Sequence, residues 1–167
     1  MNQTLKRKLF LVLLLPLSFF LHAQQSNFSG IATLGIGSQI LDESIAVHAG
    51  FNPSWALNPS FSIEGQASYI HTQINGSFLS GRMGTANAFN LLLGGRLYLI
   101  PKDKKNRAYI NVLIGGRYSE ESLEGLEQNA GLGLGFSGGA YLEVSKFVVG
   151  LSYDTPQHLF LKLGYTF

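Results

Sequence analysis

The chain contains no cysteine, so a disulfide framework, a thiolate metal site and a lipid-modified cysteine anchor are all unavailable to it. Charge is scarce as well. Asp, Glu, Lys and Arg make up 13% of the 167 residues, against about 25% in an ordinary soluble domain. Long apolar runs are lacking beyond residues 9–21, and no later stretch approaches the roughly 18–20 residues of a membrane-spanning helix. Nor does one sign of charge dominate. With Lys6, Arg7 and Lys8 set aside, nine basic residues face ten acidic ones, which leaves no electrostatic footprint for a nucleic-acid partner. A chain poor in charge yet without helical spans needs another explanation.

The N-terminal run supplies part of it. Lys6, Arg7 and Lys8 precede the apolar stretch, and His22-Ala23 and polar Gln24-Gln25-Ser26 follow. Basic, apolar and small residues in that order predict a secretory signal over residues 1–23, with cleavage after Ala23. The apolar stretch is too short to span a bilayer, and Pro16 interrupts it. The remainder, residues 24–167, reads as one domain.

What is abundant is glycine (20 residues), aromatic side chains (12%) and a period of two. Eight alternating segments are predicted, at 28–37, 44–52, 61–72, 88–100, 107–119, 130–143, 146–154 and 158–167. In the fifth, Ile110, Val112 and Ile114 alternate with Tyr109, Asn111, Leu113 and Arg117. In the sixth, Leu132, Leu134, Phe136 and Leu142 alternate with glycines, Ser137 and Glu143. Leu92, Leu113 and Phe160 break the pattern. Links at 53–60, 101–106 and 144–145 alternate with longer polar ones at 73–87 and 120–129. That is the arrangement of an antiparallel up-and-down barrel with both termini on one side.

Alternation alone leaves open which face meets water. A soluble lipocalin-like barrel, binding an apolar ligand inside, would alternate in the same way. Three features favour an apolar exterior. The second face is rich in Gly, Ser and Ala, which suits a narrow interior better than a solvated strand face. Aromatic residues cluster near strand ends, at Phe28, Phe51, Trp55, Phe61, Tyr69, Phe89, Tyr118, Phe147, Tyr153, Tyr165 and Phe167, as in two interfacial girdles. Finally, Leu161, Leu163, Tyr165 and Phe167 alternate with Lys162, Gly164 and Thr166 up to the last residue.

On the signal, the eight-strand period, the repeated Gly-Gly-Arg at 94–96 and 115–117, and the terminal Leu-Gly-Tyr-Thr-Phe, the chain resembles small bacterial outer-membrane β-barrels of the OmpA/OmpX and opacity-protein type. The resemblance implies an eight-stranded transmembrane barrel in the outer membrane of a Gram-negative bacterium. It also implies that Leu161, Leu163, Tyr165 and Phe167 serve as the sorting signal read by the barrel-insertion machinery. Outer-membrane lipid and lipopolysaccharide are then the expected surroundings, with room for an envelope protein partner. Its role is expected to be structural, adhesive or interaction-based, with a lumen filled by side chains.

Within that frame Arg96 and Arg117 face inward, together with Glu64, Glu143, Lys162 and His48, and are expected to form a polar network in the lumen. Matched depth on adjacent strands predicts a Glu64–Arg96 pair, since an isolated buried charge is costly. Glycines beside the arginines are expected to make room for them. Seven acidic residues, Asp42, Glu43, Glu120, Glu121, Glu124, Glu127 and Asp154, are placed at the outer rim, relieved only by Arg82. Lys102, Lys104, Lys105, Arg107 and Lys146 are placed at the opposite rim. Solvated loop charge is the preferred reading of the acidic rim over a cation bridge to lipopolysaccharide phosphates.

Catalytic chemistry finds little support. Gly133, Gly135 and Gly138 match a dinucleotide fingerprint in spacing, but no helix follows to receive a pyrophosphate. His48, His71 and His158 show no triad pattern or metal-ligand spacing. Small outer-membrane lipid A deacylases use a His-x-Ser pair, whereas His71-Thr-Gln, His48-Ala-Gly and His158-Leu-Phe do not match it. No cofactor, metal or catalytic residue is therefore assigned, and a lipid-modifying enzyme stands as the third reading.

Overall fold

The computed structural model describes residues 27–39, 43–76, 83–100, 105–126, 128–156 and 158–167. The signal segment, Asp42, Arg82, Lys102, Lys104 and Glu127 lie outside the described residues. Eight strands follow in order: β1 (Phe28–Gln39), β2 (Glu43–Asn58), β3 (Phe61–Gly76), β4 (Gly84–Tyr98), β5 (Asn106–Leu123), β6 (Asn129–Val144), β7 (Phe147–Asp154) and β8 (His158–Thr166). Each pairs antiparallel with the next, and β8 closes on β1. The closure leaves no continuous open edge, which is the condition for a sheet to sit in lipid.

The register fixes the barrel's shape. From Leu132 on β6, the cross-strand partners are Tyr118, Phe89, Tyr69, Ala49, Leu34, Leu163 and Val149, and the circuit returns to β6 at Leu142, ten residues further on. Eight strands with a stagger of ten tilt by about 40° and enclose a barrel of roughly 8 Å radius. Side chains can fill that width.

Strand boundaries differ from the sequence expectation at three links. The link expected over 53–60 is mostly strand, because β2 runs through Pro53 to Asn58. The β2–β3 ladder passes from Phe51↔Ala67 to Ser54↔Glu64, skipping Asn52 and Pro53, so the missing N–H falls where the ladder is interrupted. Gly65 faces the proline ring, and a Cβ there would stand 3.4 Å from its Cγ. The links expected over 73–87 and 120–129 are also shorter, since β3 reaches Gly76, β4 begins at Gly84, β5 reaches Leu123 and β6 begins at Asn129. Polar side chains on the outward face give these strand ends the look of loop.

The faces are sorted opposite to those of a water-soluble protein. Among the described residues twenty polar or charged side chains are buried against twelve apolar ones, while leucines such as Leu34, Leu91, Leu93 and Leu163 lie more than 60% exposed. An apolar ring of this extent is unsupportable in water, and the soluble lipocalin-like alternative falls with it. Trp55, Phe61, Phe147, Tyr165 and Phe167 ring the lower end of the exterior, and Tyr69, Phe89, Tyr118 and Phe136 the upper end. From Phe61 to Tyr69 along tilted β3 is about 20 Å, close to the roughly 25 Å apolar band of an outer-membrane barrel.

Leu92, Leu113 and Phe160, which break the alternation in the sequence, point inward and are buried. The glycines of the two Gly-Gly-Arg repeats do something other than make room for arginine. A Cβ at Gly94 would collide with the Val112 carbonyl oxygen, and one at Gly115 with the Leu91 carbonyl oxygen, so these two let β4 and β5 approach closely.

Candidate functional site

The lumen holds the chemistry-bearing side chains, in layers set by strand register. In the lower layer Arg96 Nε on β4 donates to Glu64 Oε2 on β3 at 2.8 Å, both side chains being 1% exposed. Glu64 Oε1 accepts from Asn52 Nδ2 at 2.7 Å and from Asn111 Nδ2 at 3.2 Å. Arg96 Nη1 donates to the Tyr98 hydroxyl at 3.2 Å, and the guanidinium lies 4.3 Å from the centre of the Tyr109 ring. Two desolvated charges repay their burial only when hydrogen bonds satisfy the remaining lone pairs and protons. Here three strands besides β3 supply donors to one carboxylate or an acceptor to its partner.

Below and beside this pair the lumen is crossed by aromatic rings. Tyr98 and Tyr109 lie 5.5 Å apart, and Tyr109 stacks on Tyr141 at 5.0 Å. Gly139 and Gly150 give Tyr141 its place, since a Cβ at either would collide with the ring. Ile31 and Val148 complete the layer.

Glu143 does not join the Glu64–Arg96 pair. It forms an ion pair with Arg107 instead, Nη2 lying 2.9 Å from Oε1, so Arg107 is a charge partner at the lower mouth and not a free rim charge. Lys162 is bound to Asp154, Nζ to Oδ2 at 2.7 Å, and Ser152 Oγ donates to the same oxygen at 2.8 Å. Asp154 is fully buried, which corrects its assignment to the outer rim. It closes β7, and its alternation with Ser152 points it inward. His48 is buried on β2, its ring 5.4 Å from Phe160. Above, Ala46, Ile70, Ala88 and Phe160 form an apolar layer, and Thr72 is hydrogen-bonded to His158 at 2.8 Å.

Arg117 stands apart from all of these. It faces inward near the upper mouth, half-buried, where Gly133 leaves room for its Nη2, with Ser119, Glu121 and Asn129 around a shallow cleft of about 210 Å³. The expected single network is therefore three separate ion pairs plus one arginine at the mouth. Among the described residues no group of three metal-ligating side chains converges. Leu161, Leu163, Tyr165 and Phe167 face outward, 55%, 63%, 40% and 40% exposed, and Lys162 and Thr166 face the lumen.

Alternation in the fifth segment sets Tyr109 and Asn111 on the face of Arg117 but carries no sign that they, Asn52 and Tyr98 converge on Glu64 and Arg96. Parity with the charged residues of the same layer was the available signal.

No protein-family model matches the chain, and no curated protein matches it. Solved structures do. The attachment invasion locus protein Ail of Yersinia pestis, in complex with the heparin analogue sucrose octasulfate, superimposes with a TM-score of 0.53 at 14% identity, over 85% of this chain and 97% of that one. The outer membrane enzyme PagL gives 0.54 at 14% identity, over 81% and 97%. The N-terminal β-barrel domain of Pseudomonas aeruginosa OprF gives 0.50 at 14% identity, over 85% and 98%. The chain has the eight-stranded fold of the small outer-membrane β-barrels. These neighbours include an attachment protein and an enzyme, so the shared fold does not carry an activity with it.

Proposed function

We propose that residues 1–23 are an export signal and that the mature chain is an integral outer-membrane barrel. Both of its termini lie in the periplasm, and its task is structural or interaction-based, performed at the outer face and not through a pore. The observation that carries this reading is the combination of an apolar, double-girdled exterior with a lumen crossed by ion pairs and stacked tyrosines. Outer-leaflet lipid and lipopolysaccharide surround the upper girdle, and an envelope protein is the natural partner of the projecting strands. The terminal Leu161, Leu163, Tyr165 and Phe167 serve as the assembly signal, so deleting Phe167 is expected to impair insertion more than export.

Binding of a polyanion, such as the heparin analogue held by the Yersinia pestis neighbour, is not carried over to this chain. Glu120, Glu121 and Glu124 stand at this chain's upper end, where a sulfated ligand would meet repulsion. A lipid-modifying activity gains nothing from Thr72, whose hydroxyl is hydrogen-bonded to His158 but buried inside the barrel.

The test is extraction and conductance. The protein is expected to resist salt and alkaline washes, to dissolve only in detergent, to migrate differently before and after boiling, and to give no stepwise conductance in planar bilayers. Release by salt would overturn the membrane assignment, and steady single-channel currents would overturn the sealed lumen.

A further inference from the structure

The exterior of β3, β4 and β5 carries a polar row directly above the upper aromatic girdle. His71, Asn87 and Glu120 are cross-strand neighbours in register, and two residues below them lie Tyr69, Phe89 and Tyr118, again in register. Those three rings are 47%, 50% and 41% exposed. The row is held in place by the girdle beneath it. Tyr69 donates its hydroxyl hydrogen to Asn87 Oδ1 at 2.7 Å, and His71 Nδ1 lies 2.8 Å from the same oxygen. Because that oxygen can only accept, His71 Nδ1 is the donor, and in the neutral ring Nε2 keeps a lone pair. Tyr118 donates to Glu120 Oε1 at 2.6 Å, which fixes the carboxylate and leaves its second oxygen available.

We propose that this ledge binds the primary ammonium of a lipid headgroup. A fixed carboxylate and an imidazole lone pair are hydrogen-bond acceptors, and exposed aromatic faces beside them attract a cation. Among the described residues a phosphate alone would find no counter-charge at the ledge. Among the described residues Lys105, Arg107 and Lys146 lie at the lower end, while Arg96, Arg117 and Lys162 lie inside the barrel. The height is that of headgroups, one step above the rings that mark the interface. An ethanolamine phospholipid and an aminosugar-bearing glycolipid both offer this ammonium. The inference rests on the proposed membrane insertion, and its ligand chemistry is independent of which leaflet the ledge meets.

Native mass spectrometry of the full chain in detergent tests it. The probes are phosphatidylethanolamine, phosphatidylcholine and phosphatidylglycerol with identical acyl chains, and lipid A with and without an aminosugar on its phosphates. Phosphatidylethanolamine adducts are expected to exceed those of the other two phospholipids about five- to tenfold, because only it offers N–H donors. Aminosugar-bearing lipid A showing the same excess over its unmodified form would name the glycolipid as a second source; without that excess, the phospholipid is the source. Glu120→Gln and Asn87→Ala should each reduce the preference to about twofold or less, with the heat-dependent gel shift unchanged as proof of folding. Equal adducts for all three phospholipids together with no aminosugar effect would overturn the proposal, as would a preference that survives Glu120→Gln. Loss of the gel shift in the unaltered chain would instead count against membrane insertion itself.

Discussion

The two ends of this barrel are built on different terms. At the lower end the interior is tied together across strands: Glu64 and Arg96 share Asn52, Asn111 and Tyr98 as hydrogen-bond partners, Arg107 closes on Glu143, and Tyr98, Tyr109 and Tyr141 pack ring against ring across the lumen. At the upper end the strands stop at unequal heights. β7 ends at Asp154 while β6 begins at Asn129, so above Phe136, which bonds to Thr155, the described part of β6 has β5 as its ladder partner. Leu132 and Leu134 are 87% and 80% exposed there. The contrast separates two jobs. The lower end holds the barrel together, and the upper end presents surfaces that need not be rigid or dry.

Breaking the lower layer should therefore cost most. Glu64→Ala leaves a guanidinium that cannot lose its proton, buried against tyrosine and amide groups. A loss of about 3–5 kcal/mol is expected in urea unfolding from lipid vesicles. The double replacement Glu64→Leu with Arg96→Met should recover much of that loss, since both charges leave together. A double variant as weak as the single one would show that the amides and not the charge set the cost.

The middle pair should break more gently. Lys162→Met strands Asp154, but a carboxyl group can shed its charge by taking up a proton, and Ser152 remains as a partner. The expected loss is about 1–3 kcal/mol, and it should shrink on acidification, read by the same unfolding experiment at two pH values. An unchanged deficit across pH would place the cost in packing.

The lower hairpin between β6 and β7 offers a gain. Ser145 links β6 to β7 with φ at 61°, a left-handed conformation that a side chain disfavours. Ser145→Gly should stabilise the barrel by about 1 kcal/mol, provided the added backbone freedom of the unfolded chain does not absorb it. The smallest effect belongs to the upper end: Glu120→Gln on the exposed ledge should shift stability by less than about 0.5 kcal/mol while altering lipid preference. A large destabilisation there would mean the ledge supports the barrel and is not merely carried by it.

Much of the fold could be read from the residues. Alternation in β5, β6 and β7 assigned inner and outer faces strand by strand, because a period of two admits only two orientations. Where it failed, a physical ambiguity stood behind it. Pro53 looked like a turn because a proline removes a ladder donor, yet the β2–β3 ladder is interrupted at that point. Residues 73–76, 84–87 and 120–123 look like loop because their outward positions, Gln73, Asn75, Thr85, Asn87, Glu120 and Ser122, are polar where the strands rise above the apolar band. The interior was legible as a set and not as pairs. Glu64 and Arg96 can be matched by depth, whereas Asp154 reads as a rim residue, since the segment 146–154 shows where β7 ends but not that register sets this end inside the barrel beside Lys162.

The sequence by itself determined an eight-stranded barrel with its apolar side outward, since composition, period and turn spacing are local properties that each segment carries alone. Only the tertiary structure decided which charges meet. A stagger of ten residues around the ring sets which depth on one strand faces which depth on another. That number belongs to the closed sheet as a whole, because it is fixed when β8 pairs with β1 and by no single segment.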